Sequence, residues 1–225
     1  IYPKDRAPRW IHDFGLQHDP GRELDAGTLR DHFQAAFAAI WRGETDDDGF
    51  NGLILSAGLS WQEITILRAY AQYLRQAGTP YSQPYIEETL AANPTIAANL
   101  VALFEARFDP ERGDAQRAED LAATIEAGLD EVSSLDEDRI LRRMLAAIQA
   151  TLRTNRYRQD DCGAPRDYLA LKLRPGDIPG VPKPVPAFEI FVSSPRVEGV
   201  HLRGGQVARG GLRWSDRRED YRTEV

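Results

Sequence analysis

The hydrophobic periodicity of the chain changes once, close to residue 158, and this change limits the folds that it can adopt. Before that point, apolar residues recur every three or four positions, as in amphipathic helices. After it, the segments YLALKL and FEIFVSS have the apolar and β-branched composition of strands. Five prolines between these segments exclude a helix there. The sequence therefore predicts an α+β fold, with a helical bundle over 28–153 followed by a β-rich segment.

Local signals predict where the helices begin and end. In SWQE, Ser60 and Glu63 have the spacing of a capping box. Gly78 followed by a proline is typical of a helix end, and Asn93 before a proline is typical of a helix start. Ser133 or Ser134 is expected to cap the last helix. The predicted apolar faces include Leu29, Phe33, Phe37, Ile40 and Trp41 in the first helix, Leu100 in a middle one, and Ile140, Met144, Ile148 and Leu152 in the last.

Composition excludes several classes of protein. Hydrophobic residues make up 42% of the 225 residues, enough for a sizeable core, and no apolar run is long enough to cross a membrane. Cys162 is the only cysteine, which excludes an internal disulfide and favours the cytoplasm. The four histidines are scattered, so we expect no metal site. The start, IYPKDRAPRW, has neither an initiator Met nor a signal peptide, and we expect a segment of a longer protein.

The stretch RGGQVARGG, residues 203–211, allows three interpretations. Two Arg-Gly-Gly triplets are found in RNA-binding boxes, but the formal net charge of -7 argues against a nucleic-acid partner. From residue 196 to 224, seven arginines face five acids, which is a mixed surface. A second interpretation is a hairpin with glycines at its turn. In the third, the glycines admit a ligand and an arginine pairs with its carboxylate or phosphate. The pattern does not separate the last two.

Long strings of the sequence resemble one enzyme family. VARGGLRWSDRREDYRTEV, FEIFVSSPRVEGVHLRGG, IPGVPKP, DYLALKL and, upstream, GLSWQEITILRAYAQYLRQAGTPYSQPYIEETL and LFEARFDP are similar to the large-subunit NAD-dependent glutamate dehydrogenases of bacteria. The resemblance covers nearly the whole chain. It implies oxidation of L-glutamate to 2-oxoglutarate and ammonium with NAD as cofactor, in a homo-oligomer without nucleic-acid or membrane partners.

The resemblance also implies a role for the stretch RGGQVARGG, residues 203–211. The wider superfamily carries Lys-Gly-Gly-Leu/Ile-Arg here, and its lysine contacts the side-chain carboxylate of glutamate. The matching residues are Arg209, Gly210, Gly211 and Arg213, which we expect to form part of the substrate-binding site. Arginine in place of lysine keeps the charge and pairs bidentately with a carboxylate. The family's catalytic lysines, its aspartate and its NAD fingerprint are expected beyond residue 225, so the chain alone is expected to be inactive.

Three regions are expected along the chain. The resemblance assigns 1–18 to the end of an ACT-like regulatory domain, 19–160 to a helical domain and 161–225 to the N-terminal part of the catalytic domain. The alternative to an enzyme segment is a helical regulatory or protein-interaction module without catalysis.

Overall fold

The computed structural model describes the backbone of residues 26–214 and the side chains of residues 27–212. Helices fill the first part of this range and strands the second, which confirms the α+β class. The helices are α1 (Ala26–Trp41), α2 (Leu53–Ala57), α3 (Trp61–Gln76), α4 (Gln83–Ala92), α5 (Pro94–Phe108), α6 (Ala115–Leu129) and α7 (Leu135–Ala150), with short 3-10 turns at Gly49–Gly52 and Pro175–Asp177. The strands are β1 (Thr151–Thr154), β2 (Leu169–Leu173), β3 (Phe188–Ser193), β4 (Val197–Gly204) and β5 (Val207–Trp214). The strand predicted within 1–18 lies outside the described residues.

The predicted boundary signals of the helices are mostly confirmed. At the start of α3 the Glu63 amide donates to the Ser60 hydroxyl at 3.3 Å, and the Glu63 carboxylate accepts from the Ser60 amide at 2.7 Å. This reciprocal pair is a capping box, which satisfies two backbone donors that a helix leaves free. Gly78 follows α3 with φ of 78°, and Ser134 caps α7. Short-range sequence patterns therefore locate these helix ends correctly.

The start of α5 and the end of α7 differ from expectation. Asn93 stands at the N-cap of α5 but makes no side-chain capping bond; its amide donates to the Thr89 carbonyl and the Glu137 carboxylate. Helix α7 ends at Ala150, because Thr151 takes an extended conformation and pairs with β2. Leu152 consequently belongs to β1 and is 37% exposed, so its assignment to the buried helix face was wrong.

The apolar face of α1 is only partly buried. Ala36 and Ala39 enter the core, whereas Phe37 and Trp41 are 54% and 83% exposed. The two rings stack on each other with centroids 6.3 Å apart. Leu29 and Phe33 are partly buried against the core, so within the described part of the chain only Phe37 and Trp41 among these large apolar residues are mainly exposed.

Helix α3 lies at the centre of the core, between the other helices and the sheet. Most of its residues are buried, including Ile64, Leu67 and Tyr70 at 0% exposure. Leu100 in α5 and Ile148 in α7 are also fully buried, which confirms both as core positions. One continuous apolar cluster extends from α2 through α3, α5 and α7 to β2, β3 and β4.

The five strands form one antiparallel sheet in the order β1-β2-β3-β4-β5. Alternate residues of a strand point to opposite faces. One face is buried against the helices and carries Leu171, Phe191 and Val200. The other face carries Ile190 and Val192, which are half-buried. The sheet therefore has one covered face and one face that the described helices leave open.

Candidate functional site

The stretch RGGQVARGG forms the turn between β4 and β5. The strands pair in register from Val197 opposite Trp214 to Gly204 opposite Val207. The connection is Gly205-Gln206, and Gly205 has φ of 62°, in the region that favours glycine. The hairpin interpretation is therefore confirmed for the backbone, and it leaves open whether the hairpin binds a ligand.

Strand pairing places the expected site residues relative to the sheet. Arg209 lies opposite Leu202, and alternation puts both on the face that turns towards the helices. Gly210 lies opposite His201 on the open face. The backbone of Arg213 lies opposite Glu198, while its side chain lies outside the described residues. The four expected residues are thus consecutive or near-consecutive positions of one strand, β5.

A shallow depression of about 320 Å³ brings three of the four residues together. Most of its lining comes from the open face of β3, β4 and β5. It is lined by Ile190, Val192, Gly199, Val200, His201, Ala208, Arg209, Gly210, Gly211 and Leu212. Arg209, Gly210 and Gly211 are all exposed. The depression is apolar at its base and carries the His201 imidazole, whereas strand alternation directs the Arg209 side chain towards the opposite face.

Gly210 is required by the sheet itself. A Cβ atom at this position would lie 2.9 Å from the Val200 carbonyl oxygen and 3.1 Å from the His201 Cα. Contacts this short with backbone atoms would push β5 away from β4. Close strand packing therefore accounts for a glycine at 210, with or without a ligand on that face.

Arg209 carries a charge that no carboxylate of the described residues pairs with. Among the described residues no carboxylate forms an ion pair or a side-chain hydrogen bond with its guanidinium. An exposed arginine on a paired strand is available to a carboxylate or phosphate ligand, which its planar fork binds through two parallel hydrogen bonds.

A buried polar layer supports the sheet beneath the hairpin. The Ser193 hydroxyl donates to Gln72, and the Gln76 amide donates to the Glu198 carboxylate at 3.3 Å. The Tyr73 hydroxyl donates to the Glu189 carboxylate, also at 3.3 Å. Buried polar groups need such partners, because an unmade hydrogen bond leaves the cost of desolvation uncompensated. This layer fixes the position of α3 against β3 and β4.

A second buried contact joins α3 to the end of α7. The hydroxyls of Tyr70 and Thr151 lie 2.7 Å apart, and Thr151 also donates to the Ala147 carbonyl. Burial raises the pKa of the Tyr70 phenol above its ordinary value, since the phenolate would lose its hydration. Tyr70 is therefore a neutral hydrogen-bonding group at physiological pH.

Sequence reasoning missed the role of the acidic run 46–48. Asp48, the last residue of this run, accepts two hydrogen bonds from Arg68, at 2.7 and 2.8 Å. The Arg68 side chain is only 2% exposed and also donates to Thr45 and Asn51. Because Asp48 and Arg68 are 20 residues apart in sequence, no local spacing rule connects them. This network holds the loop after α1 against α3.

Other candidate chemistry has no geometric support in the described region. No three His, Cys, Asp or Glu side chains there converge as metal ligands would. Cys162 is exposed and makes no disulfide. In the same range, no helix combines the length and the apolar character that crossing a membrane requires.

Two family models match the chain. The model described as bacterial NAD-glutamate dehydrogenase, catalytic domain, matches residues 124–225, which include all five strands. The model described as glutamate dehydrogenase, helical motif 3, matches residues 45–110, which include α2 to α5. Together these matches cover both the helical part and the sheet.

Curated relatives match nearly the whole chain. The NAD-specific glutamate dehydrogenase of Halomonas elongata is 55% identical over 97% of the chain, that of Pseudomonas aeruginosa 51% over 96%, and that of Mycobacterium tuberculosis 50% over 98%. The chain spans 14% of the length of each. Identity of this level, along both the helices and the sheet, shows that the chain belongs to the family of bacterial NAD-dependent glutamate dehydrogenases.

Proposed function

We propose that the protein containing this chain oxidises L-glutamate to 2-oxoglutarate and ammonium and passes the hydride to NAD. The support is family membership, since the relatives are named NAD-specific glutamate dehydrogenases. In this proposal the chain contributes part of the substrate-binding site, and NAD binds to another part of the protein. No feature of the described residues favours the alternative of a non-catalytic interaction module.

Within that activity, Arg209 binds the distal carboxylate of glutamate. The single observation that carries this assignment is an exposed guanidinium without an ion-pair partner in the described part of the chain, held on a strand paired along its length. A guanidinium and a carboxylate form two parallel hydrogen bonds, which orient the substrate as well as attract it. A strand held by its neighbour supplies the rigid support that such positioning needs.

The neighbouring residues have different parts in the proposal. Gly210 allows β5 to approach β4 closely, which sets the position of Arg209. Gly211 leaves space for the ligand beside the strand. Arg213 belongs to the same motif, and its backbone continues β5 opposite Glu198. The substrate-binding set therefore remains Arg209, Gly210, Gly211 and Arg213, with Arg209 as the residue that contacts substrate charge.

The test is a comparison of Arg209→Ala and Arg203→Ala in the full-length protein. Loss of a charge-assisted pair costs about 2–5 kcal/mol when the partner charge stays buried, so kcat/KM for glutamate should fall some tens- to thousands-fold. The KM for NAD should change little. Arg203 is the matched control, because it is exposed and lies on the same hairpin but faces the opposite side of the sheet.

Arg209→Lys sharpens the test. A lysine keeps the positive charge, so this variant should retain much more activity towards glutamate than the alanine variant. Equal and small kinetic effects of Arg209→Ala and Arg203→Ala would indicate that the hairpin has only a structural role. That result would contradict the assignment of Arg209 to the glutamate carboxylate. Weakened RNA binding in both variants, with unchanged glutamate kinetics, would contradict it as well.

The proposal also includes a cytoplasmic location and a homo-oligomeric assembly. A single exposed cysteine is consistent with a reducing compartment. Fractionation of the bacterial cell, together with the mass of the native protein by light scattering, tests both statements.

A further inference from the structure

A second cavity of the described region lies on the helix-covered side of the sheet, whereas the depression on β3, β4 and β5 opens on the other side. Its volume is about 540 Å³, within the usual range for small-molecule sites. It lies between the start of α3, the loop after α1, and two connections at one end of the sheet, the β1–β2 loop and the β3–β4 turn. We call it the α3 cleft. Nothing in the proposed function occupies it.

Three arginines line the α3 cleft, two from the β1–β2 loop and one from the β3–β4 turn. They are Arg156, Arg166 and Arg196. Among the described residues, none of the three guanidinium groups forms an ion pair or a side-chain hydrogen bond with a carboxylate. Arg156 is half-buried and lies over the Tyr157 ring at 5.8 Å, a contact that orients its side chain without neutralising it. Three like charges therefore line one cavity, and Arg166 and Arg196 are exposed to a ligand there.

The acidic residues of the cleft do not offset these charges. Glu44 is paired with Arg42, which lies outside the cleft lining. Asp46 lies 3.9 Å from Arg68, within the network that already includes Asp48. Asp167 is exposed and forms no ion pair in the described range. Three arginines and one carboxylate of the cleft are therefore without an ion pair in the described range, which leaves an excess of positive charge.

The rest of the lining is suited to the carbon skeleton of a ligand. Trp61 is half-buried at the start of α3, and Tyr168 is 42% exposed. Pro165, Leu169 and Pro195 add apolar surface. Convergent cationic groups around an apolar base are the usual construction of a site for an organic anion.

We propose that the α3 cleft binds a small organic anion that carries at least two phosphate or carboxylate groups. A ligand with two or more negative groups engages several arginines at once and relieves their mutual repulsion. A monoanion satisfies only one of them. Because the lining comes from the helical part and from two connections of the sheet, such a ligand also links these two parts.

Binding is tested by calorimetry on the full-length protein without NAD or glutamate, at constant ionic strength. Pyrophosphate probes phosphate ligands, propane-1,2,3-tricarboxylate probes carboxylate ligands, and acetate is the monoanion control. At least one of the two polyanions should bind, and acetate should bind more than about tenfold more weakly. The tighter of the two polyanions identifies the chemical source of the ligand. Absence of binding by both polyanions, or acetate binding equal to theirs, overturns the proposal.

Variants locate the site. Arg156→Gln/Arg166→Gln/Arg196→Gln should weaken polyanion binding by about 100-fold or more, since several charge-assisted contacts are lost. The matched control, Arg153→Gln/Arg158→Gln, removes exposed arginines of the same region that do not line the cleft, and should bind normally. Equal weakening in both variants would indicate nonspecific attraction and contradict the proposal.

Arg209→Ala separates this inference from the proposed function. The variant should bind the polyanion as tightly as the unmodified protein, because Arg209 does not line the α3 cleft. If polyanion binding depends on Arg209 and is unaffected by the three cleft substitutions, the anion site lies on the hairpin and the inference fails, whereas the glutamate assignment stands.

Discussion

Helix α3 and strand β5 differ in what surrounds them. Eleven of the 16 residues of α3 are buried, so substitutions there act mainly on folding. In β5 every side chain described, from Val207 to Leu212, is exposed, and among the described strands only β4 pairs with it. The core around α3 therefore stabilises the fold, whereas β5 makes the proposed contact with substrate. Changes in α3 and its neighbours should alter stability, and changes in β5 should alter kinetics.

The largest effect on stability is expected at the core positions that surround α3. Leu100→Ala or Ile148→Ala removes a fully buried side chain and should lower the free energy of unfolding by about 2–5 kcal/mol. Urea unfolding followed by circular dichroism measures it. Leu152→Ala is the control, because this residue is 37% exposed and should cost much less. Similar costs at Ile148 and Leu152 would contradict the placement of the end of α7.

The next largest effect is expected from the network between Arg68 and Asp48. Arg68→Met keeps the length of the side chain but removes its donors, and leaves the Asp48 carboxylate without its main partner. Hydrogen bonds to charged groups contribute about 1.5–3 kcal/mol, so a loss of that size is expected in urea unfolding. Arg42→Met, which breaks an exposed pair with Glu44, should have little effect. An unchanged midpoint for Arg68→Met would show that the loop after α1 is held by other contacts.

A smaller effect is expected at the start of α3. Ser60→Ala removes the hydroxyl that accepts from the Glu63 amide, and loss of an N-cap typically costs about 1 kcal/mol. Thermal unfolding should show a lower Tm, whereas Ser60→Asp should preserve stability because aspartate also caps helices. A Tm that falls equally in both variants would indicate that the contact of Ser60 with its surroundings matters, and not its capping bond.

The smallest effect on stability is expected in β5. Leu212→Ala truncates a side chain that is 73% exposed, and surface substitutions usually change stability by no more than about 0.5 kcal/mol. In chemical unfolding of the described region on its own, Leu212→Ala should leave the free energy of unfolding almost unchanged. A loss above about 2 kcal/mol in the full-length protein would mean that the open face of the sheet is covered there, and would remove the contrast between α3 and β5.

Features that depend on neighbouring residues could be predicted from the sequence, whereas features that depend on tertiary packing could not. The hydrophobic periodicity of the helices, the Ser60 capping box and the hairpin at Gly205 each depend on residues a few positions apart. Their spacing can be read directly from the sequence. The exposure of Trp41 and the extended conformation of Thr151 depend on what packs against them. Tertiary context overrode local pattern at both positions.

By itself, the sequence determined the α+β class, most helix ends, the hairpin and the family, because each depends on local spacing or on long matching strings. The tertiary structure alone decided the partners of Arg68, the buried layer of Gln72 with Ser193 and Gln76 with Glu198, and the convergence of arginines in the α3 cleft. Gln72 and Ser193 are 121 residues apart, and Gln76 and Glu198 are 122 apart. Contacts between such distant residues form only when the sheet packs on α3, since no local periodicity encodes which polar groups meet at that interface.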